Sequence, residues 1–207
     1  AIGGVGGQGT DNSLSSAGAA YVFSPADGWQ QSAYLKAPSP QILSLFGYSV
    51  AAESQLVFIG EPDRDLESSD PMIGTLVKAG AAYVFTSELP SNGGEVWQSA
   101  TSVIGSNFGA GDNFGFSIAA SPNRFAVGAL AEASDADGIG GDATDDSAPC
   151  AGAAYFYDIY TNLTPYCTSE PNSTGARASI SWGGSNFVDL NALELSAASM
   201  PPGQFGF

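Results

Sequence analysis

A chain of 207 residues is long enough for one sizeable core or two small domains. Its 21 acidic residues against 5 basic, a formal net charge of −16, argue strongly against nucleic acid, whose phosphates need Lys and Arg to displace counterions, and disfavour anionic membrane surfaces. The lack of any histidine removes Ser-His-Asp triads and Cys/His zinc sites, while 13% charged residues and 27 glycines suit tight turns and close-packed strands better than helices, so an all-β fold is expected.

The chain opens on Ala1-Ile2-Gly3-Gly4 with no basic and apolar leader, which points to a processed or truncated chain. The glycines from Gly3 to Gly9 lack the Lys-Ser/Thr and helix of a phosphate loop. Ala17-Gly18-Ala19-Ala20-Tyr21-Val22-Phe23 reads as a strand whose small residues permit close backbone approach between sheets. Trp29-Gln30-Gln31-Ser32-Ala33 reads as the next strand. Phe46-Gly47-Tyr48-Ser49-Val50-Ala51 and the apolar Leu56-Val57-Phe58-Ile59-Gly60-Glu61-Pro62 follow, and then an acidic loop from Asp63 to Asp70.

All of these motifs return, in the same order. Ala79-Gly80-Ala81-Ala82-Tyr83-Val84-Phe85 copies the first strand, and Trp97-Gln98-Ser99-Ala100 copies the tryptophan strand. Phe114-Gly115-Phe116-Ser117-Ile118-Ala119 lies 68 residues after its counterpart, and Arg124-Phe125-Ala126-Val127-Gly128-Ala129-Leu130 repeats the apolar strand. Ala151-Gly152-Ala153-Ala154-Tyr155-Phe156-Tyr157 is a third Ala-Gly-Ala-Ala strand, the three lying 62 and then 72 residues apart. Ala1-Ile2-Gly3-Gly4 looks like the tail of a further copy of the apolar strand. Four short strands per unit with turns between them is the pattern of a propeller blade. The motif aromatics are expected to pack in its core. No run approaches about 18 apolar residues, so no membrane-spanning helix is expected.

The acids gather in the loops after the apolar strands. Alternating carboxylates at Asp63 and Asp65, and at Asp135, Asp137 and Asp142, are candidate calcium ligands; an acidic, solvated loop is the alternative. Cys150 and Cys167 are expected to pair in an oxidising compartment, stabilising by roughly 3 kcal/mol, or else to be two unrelated buried thiols. Asn162-Leu163-Thr164 and Asn172-Ser173-Thr174 fit the glycosylation sequon, which a eukaryotic secretory context would use and a bacterial one would not. From Pro165 the character changes, with strands expected at 180–182 and 190–195 and a turn and strand start at 201–207. The division is therefore a repeat region over 1–164 and a β segment over 165–207 that looks like the opening of a β-sandwich module.

At Phe46-Gly47 and Phe114-Gly115, at the Gly60-Glu61-Pro62 and Gly128-Ala129-Leu130 turns, and at the Ala-Gly-Ala-Ala-Tyr strands, the sequence resembles FG-GAP repeats of integrin-type β-propellers and bacterial surface proteins. The resemblance covers residues 1 to about 160, with one departure from Gly-Ala-Pro in each turn. It implies an extracellular or cell-surface propeller scaffold, used for adhesion or display of binding loops, often with calcium in hairpin loops. The family's Asp-x-Asp-x-Asp-Gly pattern is missing at 52–55 and 120–123, so those calcium sites are not carried over. About three repeats fall short of the 4 to 8 blades of a propeller, which points to a fragment or to blades completed by other chains. The function expected is binding or adhesion to a protein or glycan ligand at a cell surface or matrix, without catalysis. The alternatives are a structural subunit assembling by strand-edge pairing, and an accessory part of a larger secreted enzyme.

Overall fold

The computed structural model describes residues 4–6, 9, 11–25, 28–68, 72, 74–88, 95–98, 101–142, 144–159, 179–184 and 193–198. Those residues are all-β, as the composition implied. They contain no α-helix, and none therefore long and apolar enough to cross a membrane. The chain divides into two compact units, Ala1–Phe156 and Tyr157–Phe207.

The first unit carries three antiparallel sheets in chain order. The first sheet has β1 (Gly4–Val5), β2 (Ala20–Ser24) and β3 (Gln30–Lys36) in the order β1-β3-β2. The second is a meander of β4 (Ser49–Glu53), β5 (Leu56–Glu61), β8 (Ala81–Glu88) and β10 (Thr101–Val103) in that spatial order, with β9 (Val96–Trp97) extending the pairing along β8. A two-stranded ribbon of β6 (Leu66–Glu67) and β7 (Thr75–Leu76) fills the connection between β5 and β8. The third sheet runs β11 (Phe114–Ser121), β12 (Arg124–Ala129), β13 (Ala153–Asp158). In the second unit β14 (Ser179–Gly184) pairs antiparallel with β15 (Leu193–Ala198), from Ser179↔Ala198 to Gly184↔Leu193, where strands were expected.

Local chemistry accounts for these elements. Ser54, at φ 54°, and Gln55 close the β4–β5 hairpin, because a positive φ matches the twist of the flanking strands. Along β11 the side chains from Phe116 to Ser121 alternate between half-buried and exposed, the period of two that a strand imposes. β8 differs, for Ala81 to Phe85 are buried on both faces. The core joins β3 of the first sheet to β5 and β8 of the second through Leu35, Phe46, Ile59, Tyr83 and Phe85. Phe46 meets Tyr83 and Phe85 with ring centroids 5.5 and 6.2 Å apart. Between the second and third sheets, Phe58 lies 4.7 Å from Phe125.

Of Ala1-Ile2-Gly3-Gly4, only Gly4 lies within the described residues. As the tail of an apolar strand, Gly4 would lie beside the Ala-Gly-Ala-Ala strand, as β5 lies beside β8. Instead Gly4 and Val5 pair with Lys36 and Leu35 of β3, on the far side of the sheet from β2's other edge. The expected core role of the aromatics also fails in part: Trp29 is 70% exposed, whereas Trp97 packs against the core.

Candidate binding surface

The three sheets are joined by one recurring backbone device. The N–H groups of Leu43, Leu45 and Phe46 donate to the carbonyls of Ser15, Ser16 and Ala17 at 2.9, 3.2 and 3.2 Å. At the next joint those of Gly111, Asn113 and Phe114 donate to Val77, Lys78 and Ala79 at 2.9, 3.1 and 3.0 Å. A parallel bridge follows in each, Gly18↔Phe46 and Gly80↔Phe114. The backbone strain repeats as well: Ser16 and Lys78 have φ of 52° and 55°, and Leu45 and Asn113 have 61° and 55°. Such residues cost about 1–3 kcal/mol each and persist because the surrounding hydrogen bonds over-determine them. Glycine is required at Gly18 and Gly80, where a Cβ would lie 1.9 and 2.2 Å from the carbonyl oxygens of Phe46 and Phe114.

A third corner has the same backbone form, with Cys150 at φ 63° and Gly152 at 79°. Among the described residues no Phe-Gly segment is seated on it, and a Cβ at Gly152 would meet nothing closer than the Leu130 carbonyl oxygen at 3.2 Å. Cys150 is exposed, with a free thiol. Its expected partner Cys167 lies outside the described residues, as do the sequon residues Asn162 and Asn172.

Polar side chains lock the second sheet. Glu61 is fully buried and accepts a 2.6 Å hydrogen bond from the Tyr83 hydroxyl and an ion pair from Arg64 at 3.2 Å. Burial pushes the Glu61 carboxyl above its ordinary range, and the hydrogen bond from Tyr83 with the Arg64 charge draws it partly back. Burial also raises the Tyr83 hydroxyl, which the Glu61 charge reinforces. Tyr155 occupies the matching position in the third sheet and donates to Asn107 at 2.6 Å; burial beside Glu132 and Asp112 pushes it up to about 12. Lys36, almost fully buried, donates its Nζ to the carbonyl of Gly18.

The candidate calcium residues have other partners. Asp63 pairs with Lys78 Nζ at 2.9 Å and accepts from Asn113 Nδ2 at 2.9 Å, while Asp65 accepts from the Lys78 backbone N–H at 2.9 Å. Both acids thus brace the second joint. Asp142 accepts from the backbone and hydroxyl of Thr144 at 3.0 and 2.7 Å, which lowers its carboxyl. Asp135 shares a hydrogen bond with Asp145, which raises Asp135 and lowers Asp145, and Asp137 is exposed. Among the described residues no three acidic or thiol side chains converge as a metal site would require.

The surface that stands out is apolar. An open groove of about 540 Å³ runs along the edge of β2 that is unpaired among the described residues, lined by Ala19 to Phe23 on one side and by Gly47, Val50, Ala52 and Val57 on the other. Tyr21 is 54% exposed, Phe23 51% and Val50 58%. Sequence reasoning missed this groove, because a strand motif carries no sign of which of its edges is covered. No protein-family model and no curated protein matches this chain.

Proposed function

We propose that the chain is a non-catalytic, extracellular β-repeat protein of the FG-GAP type, whose sheets are propeller blades and whose task is to bind a protein or glycan at a cell surface or matrix. The repeated joint supports the blade reading, because identical hydrogen bonds at the same motif positions carry each sheet to the next. The observation that carries binding is the exposed apolar edge at β2, since soluble monomers rarely leave contiguous apolar surface uncovered without a partner. The purified full chain is expected to be retained on arrays of matrix proteins and glycans, and Phe23→Asp is expected to abolish retention. Retention indifferent to Phe23→Asp, or none on any surface, would sink this reading.

The same edge favours a second reading, a structural subunit that assembles by strand pairing between copies. Electron microscopy of the full chain separates the two. Filaments, rings or sheets favour assembly, and single particles of monomer size favour ligand binding.

A further inference from the structure

We propose that the edge of β2 is an acceptor for one extended strand of a partner chain, with the pattern aliphatic, aromatic, aliphatic, glycine, acid, adding antiparallel with its glycine opposite Ala20. The proposal rests on the binding reading above and names the chemistry of the partner at that site.

The pattern comes from within the molecule. Residues 17–23 and 79–85 are the same seven amino acids, and among the described residues β8 is paired on both edges while β2 is paired on one. On β8 the second partner is β5, in the register Ala81↔Glu61, Ala82↔Gly60, Tyr83↔Ile59, Val84↔Phe58 and Phe85↔Val57. Carried to β2, that register places an acid opposite Ala19, glycine opposite Ala20, and aliphatic, aromatic and aliphatic residues opposite Tyr21, Val22 and Phe23. Main-chain hydrogen bonds supply affinity in such strand addition and side-chain pockets supply specificity.

Two positions in the pattern are fixed by contacts. A Cβ on Gly60 would fall 2.0 Å from the Gly115 carbonyl oxygen of the next sheet. Gly47 stands where Gly115 stands, with φ of 90° against 91°, and it lines the groove. Only glycine passes such a carbonyl. At the acid position Glu61 accepts from the Tyr83 hydroxyl, and Tyr21 is the counterpart of Tyr83.

Among the described residues the strands that fit are already in use, which leaves the edge to a partner. β5 is held between β4 and β8, and β12 between β11 and β13. Gly4 and Val5 are engaged on β3. A second copy could supply such a strand only by unfolding one of its own sheets.

The probe is a fluorescent peptide with the sequence of residues 56–61, made soluble by terminal lysines, titrated into the full chain. Saturable binding is expected, with slowed amide exchange confined to residues 19–23. A Gly60→Val peptide is expected to bind weaker by about tenfold or more. Register is read by cross-linking: Tyr21→Cys, in a chain with Cys150 and Cys167 replaced by serine, should form a disulfide with a peptide carrying Ile59→Cys and not with one carrying Glu61→Cys. No binding, protection away from β2, or equal affinity of the Gly60→Val peptide overturns the acceptor. If the chain still binds the arrays through Phe23 in that event, the broader binding reading stands and only this partner chemistry fails.

Discussion

β2 and β8 share the heptapeptide Ala-Gly-Ala-Ala-Tyr-Val-Phe and differ in almost everything that determines energy. Tyr83 and Phe85 are 2% and 0% exposed, whereas Tyr21 and Phe23 are 54% and 51% exposed. Both segments form strands, and both begin at a glycine with positive φ pressed against a Phe-Gly backbone. The difference lies in what stands beside them: β5 and the first sheet cover β8, and nothing among the described residues covers the second edge of β2. Forming a strand is thus a local matter, and stabilisation by that strand depends on its neighbours.

The joints give the strongest way to break this comparison. Gly80→Ala introduces both a left-handed Cβ and a collision with the Phe114 carbonyl, and is expected to cost about 4 kcal/mol or more in urea unfolding. Gly152→Ala meets the conformational cost, about 1–2 kcal/mol, and a tight 3.2 Å approach to the Leu130 carbonyl oxygen in place of a collision. Equal losses would mean that the third corner is as closely covered as the second.

The aromatic pair is the next test. Phe85→Ala is expected to cost about 3–5 kcal/mol, the usual loss for an aromatic deleted from a core. Phe23→Ala is expected to stay within about 0.5 kcal/mol, because its side chain is half in water already. A large effect at Phe23 would show that the groove is filled in the free protein.

Glu61 sharpens the comparison further, since nothing among the described residues holds a matching acid against Tyr21. Glu61→Gln removes the charge facing Arg64 and is expected to cost about 1–3 kcal/mol near neutral pH. Burial holds the folded carboxyl above its ordinary 4.5, so the folded state binds this proton more tightly than the unfolded state does. The resulting stabilisation is complete below 4.5 and is lost as pH rises through the folded value. The margin of the unaltered chain over Glu61→Gln should therefore widen as pH falls toward 4.5, measured by paired denaturant curves. Lys78→Gln gives the smallest effect, about 0.5 kcal/mol or less and weaker in salt, because the Asp63 pair is partly exposed.

Much of the fold was legible in order and type. The Gly-Ala-Ser-rich composition, the period of two and the repeated motifs placed β2, β4, β5, β8, β11, β12 and β13 where the structure has them. The acidic loops were read less well. Asp63 and Asp65 look like alternating ligands in sequence, but Lys78 and Asn113, distant along the chain, fold back onto them. The positive φ of Ser16, Leu45 and Lys78, unlike that of Asn113, carries no residue signature, because long-range hydrogen bonds impose it.

By itself, then, the sequence determined an all-β chain, its strands, their order and the recurrence of one motif set, since alternation, turn chemistry and small residues act over a few neighbours. Only the tertiary structure decided which of two identical strands is buried, which edge of the first sheet Gly4 and Val5 join, and that Asp63 and Asp65 brace a joint. Those outcomes depend on segments dozens of residues away, and no local pattern encodes whether such a neighbour arrives.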